Sequence, residues 1–240
     1  MYNEVDIRLP REESMADERA TFIRRTYANL AGAILAFIAL EAFLLTKVFT
    51  SLDDVMAIAG GRSAFGPLLI MFAFMGTIML AQMLARSESS IGLQYLGLGL
   101  CVVAYGVIFV PILYFCQNFI ADQTIIPTAG ILTLAMFGGL TLSVFVTKKD
   151  HSGLAPILSI GSLIAFGVII AGCIFGFHLG LFFSFAMVAL MSGYILYQTS
   201  FVMLNARTDQ PVAAALMLFS SVATMFFYIL RILMELNRSR

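Results

Sequence analysis

The sequence has no tryptophan, three cysteines, two histidines and few charges for its length. Each shortage excludes something. Charged residues make up 12% of the 240 residues, about half the roughly 25% usual in soluble domains, which argues against a solvated globular domain. Cys101, Cys116 and Cys173 all lie in apolar runs without CxxC spacing, and their odd number argues against a disulfide framework. They read as buried free thiols. His151 and His178 stand far apart in the chain, so a two-histidine metal site is not expected; His178 is expected at a helix start near the outer surface. Without tryptophan, an aromatic belt must be built from tyrosine and from the 22 phenylalanines. A formal net charge of zero gives no footing for nucleic acid. No nucleotide-binding loop, zinc spacing or nucleophile elbow occurs, so no cofactor, metal or catalytic residue is expected and the chain does not read as an enzyme.

What is present is hydrocarbon. Sixty percent of residues are hydrophobic and mean hydropathy is +0.95. About 20 apolar residues suffice to cross a bilayer as a helix, and seven runs reach that length, over 27–46, 67–85, 94–116, 127–146, 154–175, 179–202 and 212–234. They lack the period of two that a barrel strand requires, and helices satisfy every backbone group internally, as lipid demands. The expectation is an all-α polytopic integral membrane protein, a seven-helix transmembrane bundle over 27–234 surrounded by lipid. A charged N-terminal tail covers 1–26 and a short tail 235–240. The tail has no apolar core like that of a signal peptide and reads as solvated and flexible. The alternative is six spans and a re-entrant last segment. "GFHLG", 176–180, is the Gly-rich break between the fifth and sixth runs.

Basic residues set the expected orientation. The tail, Arg86, Lys148, Lys149 and Arg207 fall on one side, whereas the other has Lys47, Arg62 and the C-terminal arginines. The excess puts the N-terminus in the cytoplasm. Short links and a compact chain fit a bacterial inner membrane, with an organelle membrane as the alternative. Gly172, Gly176 and Gly180 recur every four residues, a spacing that lets helices approach closely, read here as packing within the bundle.

Polar groups inside the runs carry the functional question. Glu41 is an acid well inside a span; such a carboxylate is costly and faces water, a partner or the bundle interior. It is a candidate for cation coordination or proton uptake, against the plain alternative of an acid reaching the interface. Arg231, late in the last run, could snorkel to the interface or pair with Glu41. In "SGYILYQTSFVMLNARTDQPVAAALMLFSSVATMFFYILRIL", 192–233, a short link joins two runs. With the turn near Asp209, Gln198 and Ser221 lie 11 and 12 residues from it, so antiparallel helices bring them level. There an amide and a hydroxyl can satisfy each other, or form a polar constriction on an ion path.

Four stretches resemble the Bax inhibitor-1 family: "FIRRTYANLAGAILAF", "TLSVFVTKKD", "GYILYQTSFVM" and "AAALMLFSSVATMFFYILRIL", in the family's order and spacing over about 22–234. The resemblance implies seven spans, a cytoplasmic N-terminus and a pH-sensitive calcium leak. It also implies, for eukaryotic members, suppression of cell death and, for some bacterial ones, binding of a membrane AAA protease. The family's gating aspartates, one in each of the last two spans, match Gln198 and Ser221 here. Thr224 stands for the family's asparagine, while Tyr197, Thr199 and Arg231 are kept. On this reading Gln198, Ser221, Glu41 and Thr224 line an ion path or gate, and Arg231, Tyr197, Thr199 and Asp209 position it. Two adjacent carboxylates titrate as a unit and make a proton switch. Gln and Ser do not, and their neutral oxygens hold calcium less strongly. The expected functions are thus a cation leak without that pH switch or, alternatively, a non-transporting regulator that binds a membrane protease or another membrane assembly.

Overall fold

The computed structural model describes residues 5–60, 65–88, 90–176 and 179–238. Those residues are almost entirely helical: α1 (Val5–Phe43), α2 (Leu52–Ile58), α3 (Gly66–Ala85), α4 (Ile91–Phe119), α5 (Ile125–Thr147), α6 (Ala155–Phe175), α7 (Leu181–Leu204) and α8 (Pro211–Arg238). All but α2 are long and apolar enough to cross a membrane. The chain is an all-α polytopic membrane protein, as the seven apolar runs required.

The termini of the helices follow local chemistry. Ser51 and Asp54 form a reciprocal capping box at the start of α2. Proline, whose missing N–H costs nothing in a first turn, opens α3, α6 and α8. Gly176 takes the left-handed conformation, φ 70°, and ends α6. This places the break between the fifth and sixth runs inside "GFHLG". His178 lies outside the described residues, as do Arg62 and Arg240.

Successive long helices alternate in direction. One end of the bundle gathers the links α3–α4, α5–α6 and α7–α8, tied by Arg207 to Glu88 at 2.7 Å and by the His151 N–H to Ser200 Oγ at 3.1 Å. We call this the Arg207 end. The opposite end holds α2, the α4–α5 link with Asp122, and the end of α8.

Two sequence expectations change. The helix expected to begin near residue 27 already runs from Val5, and the first candidate span covers Met15–Val48. Phe22 and Thr26, assigned to a solvated tail, are buried. They begin a stripe, Phe22, Thr26, Leu30, Ala33, Phe37 and Glu41, that follows helical spacing and is buried throughout. The Arg19 guanidinium fixes that early turn by donating to the Ala206 carbonyl at 2.5 Å, where α7 has ended. The second change concerns the last segment. It is one uninterrupted 28-residue helix, about 42 Å long at the α-helical rise, and does not re-enter.

Helix α8 is the centre of the molecule. It packs on α1, α3, α4, α5 and α7. In its span window 72% of residues are buried, against 11% for α3 and for α6, so α8 forms the core while those two face the bilayer. Rings from three helices interlock there. Phe109 of α4 stacks on Phe226 at 5.7 Å and meets Phe37 of α1 edge-on at 5.2 Å, and Phe37 meets Phe219 of α8 at 6.0 Å.

Candidate functional site

Adjacent residues on a helix diverge by about 100°, and this rotation organises the polar groups of α7 and α8. Ser221 faces α7. Its hydroxyl donates to Gln198 Oε1 at 2.9 Å, joining the two residues the link had placed level. Ser221 is buried and Gln198 half-buried. The contact is neutral on both sides and gives neither helix a titratable group there.

Thr224 does not join them. One position earlier than Ser221, Ser220 points toward α4, and Thr224 follows it one turn later. The Tyr105 hydroxyl lies 3.2 Å from Thr224 Oγ1 and donates to the Ser220 carbonyl at 3.2 Å. Cys101 Sγ lies 3.6 Å from Ser220 Oγ, and Ser220 and Thr224 both donate to carbonyls one turn back. The two faces of α8 thus carry two separate polar contacts, one to α7 and one to α4. Sequence spacing could show Thr224 on the Ser220 face, but nothing in it identified Tyr105 as the partner.

Glu41 is 5% exposed, and neither carboxylate oxygen has a hydrogen-bond partner. It lies one turn beyond Phe37 on the buried stripe. Its neighbour Leu40 packs against Gly106 of α4 so closely that a Cβ there would lie 2.7 Å from Leu40 Cδ2. Glu41 itself is buried within the protein, and the alternative of an acid reaching the interface does not hold. Nor does it pair with Arg231. The Arg231 guanidinium donates instead to the Leu179 carbonyl, in the link before α7. That interaction fastens the far part of α8 to the start of α7.

The remaining expected residues fall in different places. Tyr197 stacks on Phe201 of its own helix, with ring centroids 6.3 Å apart. Thr199 is fully buried, on a different face of α7 from Gln198, and its hydroxyl has no hydrogen-bond partner. Asp209 is exposed in the α7–α8 link, where its carboxylate takes Arg207 at 2.9 Å. Asp209 and Glu88 hold the Arg207 guanidinium above its ordinary pKa by hydrogen bond and charge. Asp209 sets the turn and touches no polar group of the interior. Arg19, which anchors α1 on Ala206, escaped the sequence reading because its partner is a backbone carbonyl, which carries no sequence signal.

Among the described residues no group of three or more His, Cys, Asp or Glu could hold a metal ion. A single cation could find here one full carboxylate, at Glu41, and scattered neutral oxygens.

A family profile described as inhibitor of apoptosis-promoting Bax1 matches residues 19–239. Two curated proteins of Neisseria meningitidis, one from serogroup A and one from serogroup B, are each 27% identical over 140 residues. Those matches cover 55% of this chain and 58% of each relative, and both relatives carry the description uncharacterized. No solved structure matches.

Proposed function

The chain belongs to the family of inhibitors of apoptosis-promoting Bax1, and from that premise we propose that it passes cations, calcium in particular, across its membrane without a proton switch between its last two spans. The observation that carries the reading is Glu41: a buried carboxylate whose two oxygens have no protein partner. An ionised carboxylate left alone in such a place is costly, and a passing cation offsets that cost. Glu41 is the group a cation meets inside the bundle. The Gln198–Ser221 hydrogen bond is a latch between α7 and α8 that works alike at every pH, because neither partner titrates near neutrality. Thr224 and Asp209 lie off this path. The protein has no catalytic role in this reading and sits in a bacterial inner membrane with its N-terminus in the cytoplasm. The excess of basic residues at the Arg207 end and the bacterial relatives support that placement.

The test is calcium entry into liposomes holding the purified protein, at about pH 6 and about pH 8, where a carboxylate pair would change charge. Wild-type entry that is lost in Glu41→Gln at both pH values supports the reading. Entry no faster than in empty liposomes sinks it.

One observation favours a second reading, a non-transporting regulator of a membrane AAA protease or other assembly. Early α1 presents a charged outer face, with Asp17, Glu18, Arg24 and Arg25 exposed. Asp17→Asn, Glu18→Gln, Arg24→Gln and Arg25→Gln together remove those charges and leave the Arg19 anchor in place. Unchanged capture of membrane partners by that variant argues against a docking role for this face.

A further inference from the structure

Helices α1 and α5 flank α8, and both pack on it. Near the Arg207 end one ring spans the gap between them: Tyr27 of α1 lies 5.9 Å from Phe145 and 6.4 Å from Phe137 of α5, centroid to centroid. Farther along, toward the opposite end, the two helices leave a hollow of about 300 Å³. Ile34 and Ile38 form one wall and Gly130 and Leu134 the other, over a floor of Phe219, Val222 and Phe226 from α8. Phe219 and Val222 are buried, while Ile38 and Leu134 are 56% and 52% exposed. The hollow is therefore a slot that opens outward between its walls. All of it lies within candidate membrane spans, so its mouth faces lipid hydrocarbon.

Water is a poor occupant. An internal water needs several polar partners, and the lining has a single side-chain hydroxyl, that of Thr133, whose hydrogen already goes to the Ala129 carbonyl at 2.7 Å. Nor does the protein fill the slot. A Cβ added at Gly130 would meet no neighbouring atom within 4 Å. Left empty, the slot forfeits the dispersion contacts of its lining.

Its length fits one occupant. From Ile126 to Leu134 the slot follows about 12 Å of helix axis, against about 15 Å for the hydrocarbon of one leaflet. At the same end, α5 and α8 border a second hollow of about 270 Å³, with Asp122, Thr124, Thr128 and Asn237 in its lining. Leu233 and Asn237, which also line it, lie seven and eleven residues beyond Phe226 and continue the same stripe of α8. The two hollows follow the order of a lipid, apolar inside and polar at the membrane face.

We infer that the slot between α1 and α5 holds one acyl chain of a phospholipid from the leaflet at the Asp122 end, with the lipid's polar part at the hollow lined by Thr128 and Asn237. The chain supplies the contacts that Gly130 leaves out and wedges α1 and α5 against α8. The site is separate from the Gln198–Ser221 latch, and it stands whether or not the protein passes ions.

The test uses the full chain in detergent, with phosphatidylethanolamine as the probe, whose ammonium group suits Asp122. Gly130→Leu fills the slot from α5. Gly139→Leu, on an exposed part of the same helix where a Cβ also meets nothing within 4 Å, is the control. Added lipid is expected to raise the melting temperature of wild type and of Gly139→Leu by a few degrees, and to leave Gly130→Leu unmoved. Native mass spectrometry is expected to find one retained lipid on the first two and none on the third. A second measurement leaves the slot unfilled at Gly130. The chain has no tryptophan, so a single introduced one reports alone. Phosphatidylethanolamine brominated on its tail and carried through detergent washing should quench Leu134→Trp and not Leu142→Trp, which is exposed on α5 outside the slot. Equal lipid effects in wild type and Gly130→Leu, or equal quenching in the two tryptophan variants, would mean annular lipid alone and overturn the site. Retention of an isoprenoid in place of the phospholipid would overturn the occupant.

Discussion

Gln198–Ser221 and Glu41 are both polar groups inside the bundle, and they are in opposite condition. The first pair is closed: a hydroxyl donates to an amide oxygen at 2.9 Å across two neighbouring helices. The second is open: a carboxylate with two oxygens and no partner. In a dry interior a satisfied polar pair fixes the packing of its helices, while an unsatisfied one is a liability that folding alone does not explain. On the proposed function, the closed pair is structural and the open acid is the group a cation meets. Between α7 and α8, at Gln198 and Ser221, this chain has a structural contact. Its interior charge lies on a different helix, beyond the aromatic cluster of Phe37, Phe109 and Phe219.

The strongest way to break the comparison is to remove the open group. Glu41→Gln keeps shape and loses charge, and most calcium entry into liposomes is expected to disappear with it. Glu41→Leu goes further. An unpartnered buried polar group costs about 1–3 kcal/mol, so this variant is expected to melt several degrees above wild type while conducting nothing. A variant that melts lower would mean that the carboxylate has a partner.

The next test turns the closed pair into an open one. Gln198→Asp with Ser221→Asp places two carboxylates where the neutral bond was. They cannot both ionise cheaply, so one is pushed above its ordinary range. For an acid shifted upward, the folded state loses stability as pH rises through the shifted value. The double variant is therefore expected to melt lower at about pH 8 than at about pH 6, with calcium entry that now depends on pH. Both trends are expected to exceed any shown by wild type, whose Gln198–Ser221 pair does not titrate.

Ser221→Ala probes the pair alone. Hydrogen bonds between transmembrane helices contribute about 0.6 kcal/mol on average and at most about 1.7, so reversible unfolding should register a small loss at every pH. A loss that grew with pH would point to a titrating neighbour.

The smallest effect sharpens the contrast from the surface. Asp122, in the exposed α4–α5 link, is a carboxylate with donors: the Thr124 hydroxyl at 2.6 Å and the Thr124 N–H at 2.9 Å. These bonds hold its pKa below the ordinary carboxylate value. An acid shifted downward contributes stability that is present above its unfolded pKa and lost as pH falls through the folded one. Thr124→Val removes the hydroxyl, so the Asp122 carboxyl carbon should titrate at higher pH by NMR.

Part of this was legible in the sequence. The number of long helices followed from run length, and the level of Gln198 with Ser221 followed from a short link and the helical rise. The buried stripe from Phe22 to Glu41 was also there to be read, because its spacing repeats every three or four residues. It was hidden by the charges around it, which made residues 1–26 look like a free tail. Lys and Arg can keep their heads in water while their helix packs, so charge alone did not mark where packing starts.

By itself, then, the sequence determined that the chain is a bundle of apolar helices, where each helix turns back, and which residues of α7 and α8 share a height. Only the tertiary structure decided which way each helix is rotated. Rotation sets partners, because residues one apart on a helix look about 100° apart. It sent Thr224 to Tyr105 and not to Gln198, and gave Arg231 a backbone carbonyl and not Glu41. Those choices follow from how side chains of five helices fill the space around α8, a many-body packing problem that no single stretch of chain encodes.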